Sequence, residues 1–371
     1  MRKDETSNRK LKGYYKFSKK YPTVRGTTYA IGESRKMKKK ERNNKILIVV
    51  SLIAVFIIAF IAASVCFNLS RRPIAGDNAN GEKRLSADNI GTVRGIMLSN
   101  ESIKTDADLE LSLNNAVKNG MNAVVLDFKD KDGDLLYSSD LVNESAKGKN
   151  RISKETISKI HNENLMIIAR VYCFEDSKSP QRLGAYVYSD TEKNTIWFDK
   201  APALGGRVWL DPTNDKSVSY LCSVIKEIKE LGADAIYLQS VKFPVSKTIQ
   251  PVFDADINKN TVLTAFIESA VNAAGDCPII LGTDMAGIEG SDTARYGGSL
   301  FDTAAAACSP LMKKTDNYLA DVEKKYIELK DRSANNFTTL NIIMTMYEIS
   351  EDTDFYTKLS DSKIGSYIIV A

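Results

Sequence analysis

Histidine is almost missing from this chain: of 371 residues only His161 is one. It stands in "SKIHNEN", near the end of a polar helix, so a Ser-His-Asp triad or a histidine metal centre lacks its materials and His161 reads as a surface residue. Cysteine is scarce as well, with Cys66 in a long apolar run and Cys173, Cys222, Cys277 and Cys308 beyond it. No CxxC pair occurs, which argues against a zinc ribbon or a thioredoxin-type site. Four cysteines spread over about 280 residues are too few for a disulfide-dense scaffold, and their apolar neighbours predict buried free thiols. Neither GxxxxGK nor GxGxxG is present, so phosphate-loop nucleotide binding is unsupported. "DKDGD" (130–134) has some features of a calcium loop, but the first ligand position would fall on Phe128, which offers no oxygen, and a turn joining "VVLDFK" to "DLLYSS" is expected instead. No metal or cofactor is expected.

One stretch lacks charge altogether. "ILIVVSLIAVFIIAFIAASVCF", residues 46–67, holds 22 residues of which fifteen are Ile, Leu, Val or Phe. A helix of that length spans the roughly 30 Å apolar core of a bilayer and predicts a single-pass transmembrane helix. A cleaved signal peptide has a shorter apolar region behind a short basic start, whereas 45 residues precede this one. A lipoprotein reading of Cys66 lacks the expected small residue just before the cysteine. Residues 1–45 carry a net charge of +12 and the remainder −8, beneath an overall +4. The positive-inside rule therefore predicts a cytoplasmic N-terminus and an extracellular C-terminal domain. "RKMKKKERNNK" reads as a topology signal near anionic lipid, within a basic tail expected to be disordered. The outer −8 argues against nucleic acid as a partner.

Residues 68–91 are polar and punctuated by Gly, Asn and Pro, as in a flexible linker. From 92 to 371 short apolar runs alternate with helical patterns. The runs are 92–98, 122–129, 165–174, "ADAIYLQ" (233–239), 278–285, 308–312, 340–347 and 366–371. Helices are expected near 105–119, 153–163, 215–231, 260–274, 299–307 and 317–334, with a short helical piece before the last strand. In the 215–231 helix Val218, Leu221, Cys222, Ile225, Ile228 and Leu231 recur three or four apart, and Gly232 ends it. Continuous apolar strands separated by helices imply a parallel sheet covered on both faces. Eight such units predict an α/β fold, a (β/α)8 TIM-like barrel in preference to an open sheet.

In a barrel the active face is where the strands end. Asp127, Lys129 and Asp130 end the second strand, Arg170, Glu175 and Asp176 the third, Gln239 and Lys242 the fourth, Asp284 the fifth and Glu348 the seventh. The segment 175–214, with Trp197, Trp209 and "WLDP", would be an insertion over the same face, its flat rings either stacking on sugars or packing the loop.

Taken in order, "NAVVLDFKDKDGDLLYSSD", "IIARVYCFED", "VWLDPTN" and "LGADAIYLQSVKFP" resemble the motifs of a bacterial family of glycoside-hydrolase-like proteins with a TIM-barrel fold, over roughly residues 92–312. The resemblance implies an acid at Asp127, the third-strand arginine at Arg170, the "WxDP" aspartate at Asp211 and a fifth-strand acid at Asp284. Lys129, Asp130, Glu175, Trp209, Gln239 and Lys242 are then candidates for substrate binding. The family's fourth strand is similar to "FDYIRFP", where this chain has "LQSVKFP". Gln239 stands for the acid, Ser240 for the tyrosine and Lys242 for the arginine. Glycoside hydrolysis generally needs two carboxylates flanking the bond, and an amide replaces neither.

Three classes of function are compatible with these residues. The first is a barrel of impaired catalysis that binds a cell-wall or other glycan. The second is an active glycosidase whose carboxylates come from Asp127, Asp211, Asp284, Glu175 or Glu348. The third is a non-enzymatic protein of cell-envelope assembly whose barrel serves as a docking surface.

Overall fold

The computed structural model of the protein describes residues 90–142, 151–335, 340–349 and 354–370. The expected tail (1–45), the transmembrane helix (46–67) and the linker up to residue 89 lie outside the described residues. Among the described residues no helix is long and apolar enough to cross a membrane.

Nine parallel strands form the sheet: β1 (Arg94–Met97), β2 (Ala123–Lys129), β3 (Met166–Tyr172), β4 (Ala235–Gln239), β5 (Ile279–Asp284), β6 (Ala307–Leu311), β7 (Asn341–Ile342), β8 (Met344–Tyr347) and β9 (Tyr367–Val370). β7 and β8 are two pieces of one stave interrupted at Ile343, which leaves eight staves. Pairing runs in sequence order from β1 to β6, passes through β7 and β8 to β9, and closes where Arg94 to Met97 meet Tyr367 to Val370. The sheet is thus a closed parallel α/β barrel, as expected. A closed ring leaves no strand edge exposed.

The main helices are α1 (Asp106–Lys118), α2 (Lys154–Asn162), α3 (Ser179–Leu183), α4 (Asp215–Leu231), α5 (Lys259–Ala274), α6 (Met285–Glu289), α7 (Thr293–Tyr296), α8 (Tyr318–Asn335) and α9 (Phe355–Asp361). Of the apolar stripe of α4, Leu221, Ile225 and Ile228 are buried in the outer core and Val218, Cys222 and Leu231 are half-buried, and Gly232 closes the helix in the left-handed region at φ 105°, its N–H returning to Ile228 and Lys229. The helix expected near 299–307 does not form. "SLFDTAAA" (299–306) follows Gly297 and Gly298 and is irregular, and the helices of that connection are α6 and α7, each begun by an aspartate cap, Asp284 and Asp292.

Two apolar layers result. The outer one lies between strands and helices; the inner one fills the barrel with Val93, Val125, Ile168, Tyr237, Ile280, Ile343 and Ile368. Ile90, expected in the linker, is fully buried in the inner layer, so the domain begins before residue 92. The Tyr237 ring lies across Gly282, where any Cβ would overlap it. Its hydroxyl meets Thr345 Oγ1 at 3.2 Å, which in turn meets Ser309 Oγ at 2.7 Å, so the polar atoms inside the barrel satisfy one another.

Candidate active site at the mouth of the barrel

Asp127 and Arg170 are register partners near the ends of β2 and β3. Arg170 donates from Nε to Asp127 Oδ1 and from Nη2 to Oδ2 at 3.0 Å, a two-pronged pair, while its Nη1 donates to Met97 Sδ at 2.9 Å. Burial opposes the guanidinium charge, but Asp127 outweighs it and the Arg170 pKa lies above its usual value. Tyr172 stacks its ring 5.2 Å from Arg170, and burial raises its hydroxyl's pKa.

One residue further on, β2 carries a bulge: Asp127 is level with Arg170, yet Lys129 is level with Val171. Val171 belongs to the outer layer, so the extra residue turns Lys129 away from the mouth. The placement of Lys129 in a sugar-facing rim is therefore corrected. Its ammonium is fully buried, 2.8 Å from Asp176 Oδ2 and 2.7 Å from the Tyr172 carbonyl. Asp130 also serves the backbone, Oδ1 accepting the N–H groups of Asp132 and Asp134 at 2.9 Å. Those bonds and the Lys129–Leu135 bridge make "DKDGD" the expected turn.

Glu175 reaches across the mouth. Its Oε1 accepts from Arg207 Nη2 at 2.8 Å and its Oε2 from Ser240 Oγ at 3.0 Å. Arg207 also contacts Asp132 and Asp199, at 3.2 and 3.8 Å, and ties the insertion to the ends of β2 and β3. Sequence reasoning missed Arg207, because nothing in "GGRVW" sets one arginine apart from others in the chain. Ser240 holds a left-handed backbone at φ 58°, rare for a residue with a side chain. A serine directly after a strand gives no advance sign of this.

Gln239 ends β4 half-buried, its carbonyl accepting from Cys173 N–H at 2.8 Å. Lys242 lies 6.0 Å from the Trp209 ring. Trp209 is only 8% exposed and meets Trp197 edge to face at 6.5 Å, so the tryptophans pack the insertion and present no flat open ring. Asp211 stands two residues after Trp209, its Oδ1 accepting from the N–H and hydroxyl of Thr213 at 2.8 Å, and burial raises its pKa. Asp284 ends β5 and caps α6 through Gly287 N–H at 2.9 Å. The Tyr296 hydroxyl, pushed up to about 12 by burial, lies beside it. Glu348 stands apart beside the Tyr356 hydroxyl, which burial and that carboxylate raise.

Asp127, Arg170, Glu175 and Gln239 are thus brought together at neighbouring strand ends. Lys129 and Asp176 are withdrawn into the wall, and Asp130, Asp211 and Asp284 each hold a turn or a helix start.

A family model described as "Putative glycosyl hydrolase domain" matches residues 95–303, more than half of the chain. The chain belongs to this glycosyl hydrolase domain family. No curated protein matches it. Among solved structures, the cycloalternan-forming enzyme from Listeria monocytogenes, in complex with a pentasaccharide substrate, aligns with 78% of this chain and 29% of its own at 13% identity and a TM-score of 0.52. That likeness is one of fold. A hypothetical protein from Ruminiclostridium thermocellum is 24% identical over 50% of this chain and 96% of its own, with a TM-score of 0.44. The glycoside hydrolase domain of PelA from Pseudomonas aeruginosa is 10% identical over 75% and 94%, with a TM-score of 0.43. In this glycosyl hydrolase domain the carboxylates at the mouth are committed: both oxygens of Asp127 and both of Glu175 already accept from side chains of the chain itself.

Proposed function

We propose that the protein is a membrane-anchored, extracytoplasmic glycan-binding barrel of the glycosyl hydrolase type in which hydrolysis is impaired. The observation that carries this reading is the end of β4, where Gln239, level with Tyr172, stands half-buried one step beyond the level of the two-pronged Asp127–Arg170 pair. A fixed guanidinium–carboxylate pair and an amide supply donors and acceptors for sugar hydroxyls. They do not supply an acid and a base that can exchange a proton. The membrane part of the reading rests on the uncharged run 46–67 and on the charge split across it. Residues 68–89 then act as the spacer, and the basic tail lies against anionic lipid.

The test is a screen of the purified full-length protein against cell-wall and storage polysaccharides, before and after Gln239→Asp. The expected outcome is binding without turnover by the native protein, weakened by Arg170→Ala. Gln239→Asp should raise any hydrolytic rate, since one positioned acid or base contributes about 10² to 10⁴. Robust turnover by the native protein would overturn the impaired reading.

A second reading, an active glycosidase, is favoured by Asp211, whose burial stabilises the protonated form that a general acid needs. It predicts turnover abolished by Asp211→Asn.

A further inference from the structure

Both tryptophans of the 175–214 insertion are spent on packing, but two of its tyrosines are not. Leu210 N–H donates to the carbonyl of Phe174, two residues past the end of β3, at 3.0 Å, and Tyr186 bridges Leu210 in antiparallel fashion. At about 4.8 Å per strand spacing, Tyr186 stands about 10 Å from that strand end. The chain then folds back on itself. Ser189 N–H donates to the Thr195 carbonyl and Trp197 N–H to the Val187 carbonyl, each at 2.9 Å, so Tyr188 and Ile196 face each other as a close pair. Val252, from the segment after β4, also bridges Tyr188, its N–H donating to the Tyr188 carbonyl at 2.9 Å.

Side chains alternate across such a small sheet. Ala185, Val187 and Trp197 enter the outer apolar layer, which leaves Tyr186 and Tyr188 on the other face, with Ile196 and Val252 beside Tyr188. Those four are half-buried, and Leu210, fully buried, closes the strip at its barrel end. Neither tyrosine hydroxyl has a hydrogen-bond partner among the described residues. Four half-open side chains fall short of the roughly 800 Å² that one partner contributes to a stable protein interface. A pyranose with equatorial hydroxyls needs less. Its ring face is a patch of C–H groups that suits one aromatic ring, and its edge hydroxyls can bond a tyrosine O–H.

We propose that Tyr186 and Tyr188 form an accessory sugar-stacking strip, which carries further units of a glycan held at Asp127, Arg170 and Gln239. The ligand class is then an extended oligosaccharide of pyranoses with equatorial hydroxyls. The proposal rests on the glycan-binding reading and adds the length and sugar type of the glycan.

Calorimetry on the full-length protein in detergent tests it with disaccharides and hexasaccharides of the cellulose, xylan and chitin series. In at least one series the hexasaccharide is expected to bind about tenfold or more tighter than the disaccharide, the effect of one or two stacked rings. Tyr186→Ala combined with Tyr188→Ala should remove that gain and leave disaccharide affinity unchanged, with thermal unfolding as the check on folding. The corresponding double change to Phe should keep the gain, because the ring face carries the stack. Equal affinity for both lengths in every series overturns the strip and leaves the glycan-binding reading standing. A length gain that survives the double Ala change also overturns it, because the further units then lie elsewhere. So does a double Ala variant that binds sugars as the native protein does but loses a native dimer in sedimentation, since the strip then joins two copies of the chain. Failure to bind any of the six sugars overturns the proposal, and failure across a wide polysaccharide screen overturns the glycan-binding reading as well.

Discussion

An ammonium with no exposed surface is sustained at Lys129 by Asp176, whose own Oδ1 accepts the N–H groups of Lys178 and Ser179 at 2.9 and 2.8 Å. Burial opposes both charges, but each partner outweighs it, so the ammonium pKa is raised and the carboxyl pKa lowered. Lys129→Met should cost about 3–5 kcal/mol in denaturant unfolding, because it strands a buried charge. Adding Asp176→Asn should recover much of that, since the amide keeps an oxygen for the two N–H groups. The pH dependence follows from the signs. The Asp176 contribution is complete above the unfolded carboxyl pKa of about 3.9 and is lost as pH falls through the lower folded value. The Lys129 contribution is complete below about 10.4 and is lost as pH rises through its higher folded value. Acid unfolding of the double variant that combines Lys129→Met with Asp176→Asn should accordingly be shallower than that of the native protein.

At the scale of elements, the bulge in β2 and the turn after it act as one unit. Without the bulge, period-two alternation would aim Lys129 into the mouth beside Asp127. The turn that follows passes Gly133 at φ 92°, where a Cβ would overlap Asp176 Oδ1. Gly120 also has positive φ, at 73°, but a Cβ there meets nothing within 4 Å. Gly120→Ala should therefore cost only the conformational term, about 1–2 kcal/mol. Gly133→Ala should cost clearly more, since it also displaces Asp176 from Lys129. Equal losses for the two in chemical denaturation would show that the turn does not support the ion pair.

For the whole molecule, the ring closes through β9, so strands far apart in sequence hold one another and neither β1 nor β8 is left as an edge. The proposed external placement of the barrel rests on charge. Protease added outside intact cells should degrade the chain beyond residue 67 and spare the +12 tail, read by immunoblotting with antibodies to each part. Protection of the barrel would overturn the orientation.

Much of the barrel was legible in the sequence because its strands are continuous apolar runs separated by amphipathic helices, and that pattern is local. All eight staves lie where the runs fall, and α4 ends at Gly232 as its spacing requires. The helix expected near 299–307 failed for a local reason too, since aspartate caps at 284 and 292 start helices earlier than the apolar pattern suggests. The four-motif order gave the family and named Asp127, Arg170 and Gln239. Only the tertiary structure decided which charges share an environment. A one-residue bulge sends Lys129 into the wall, and Arg207, 32 residues from Glu175, closes on it from the insertion. Such pairings depend on register and loop path, which bring together residues whose separation in sequence carries no period to read.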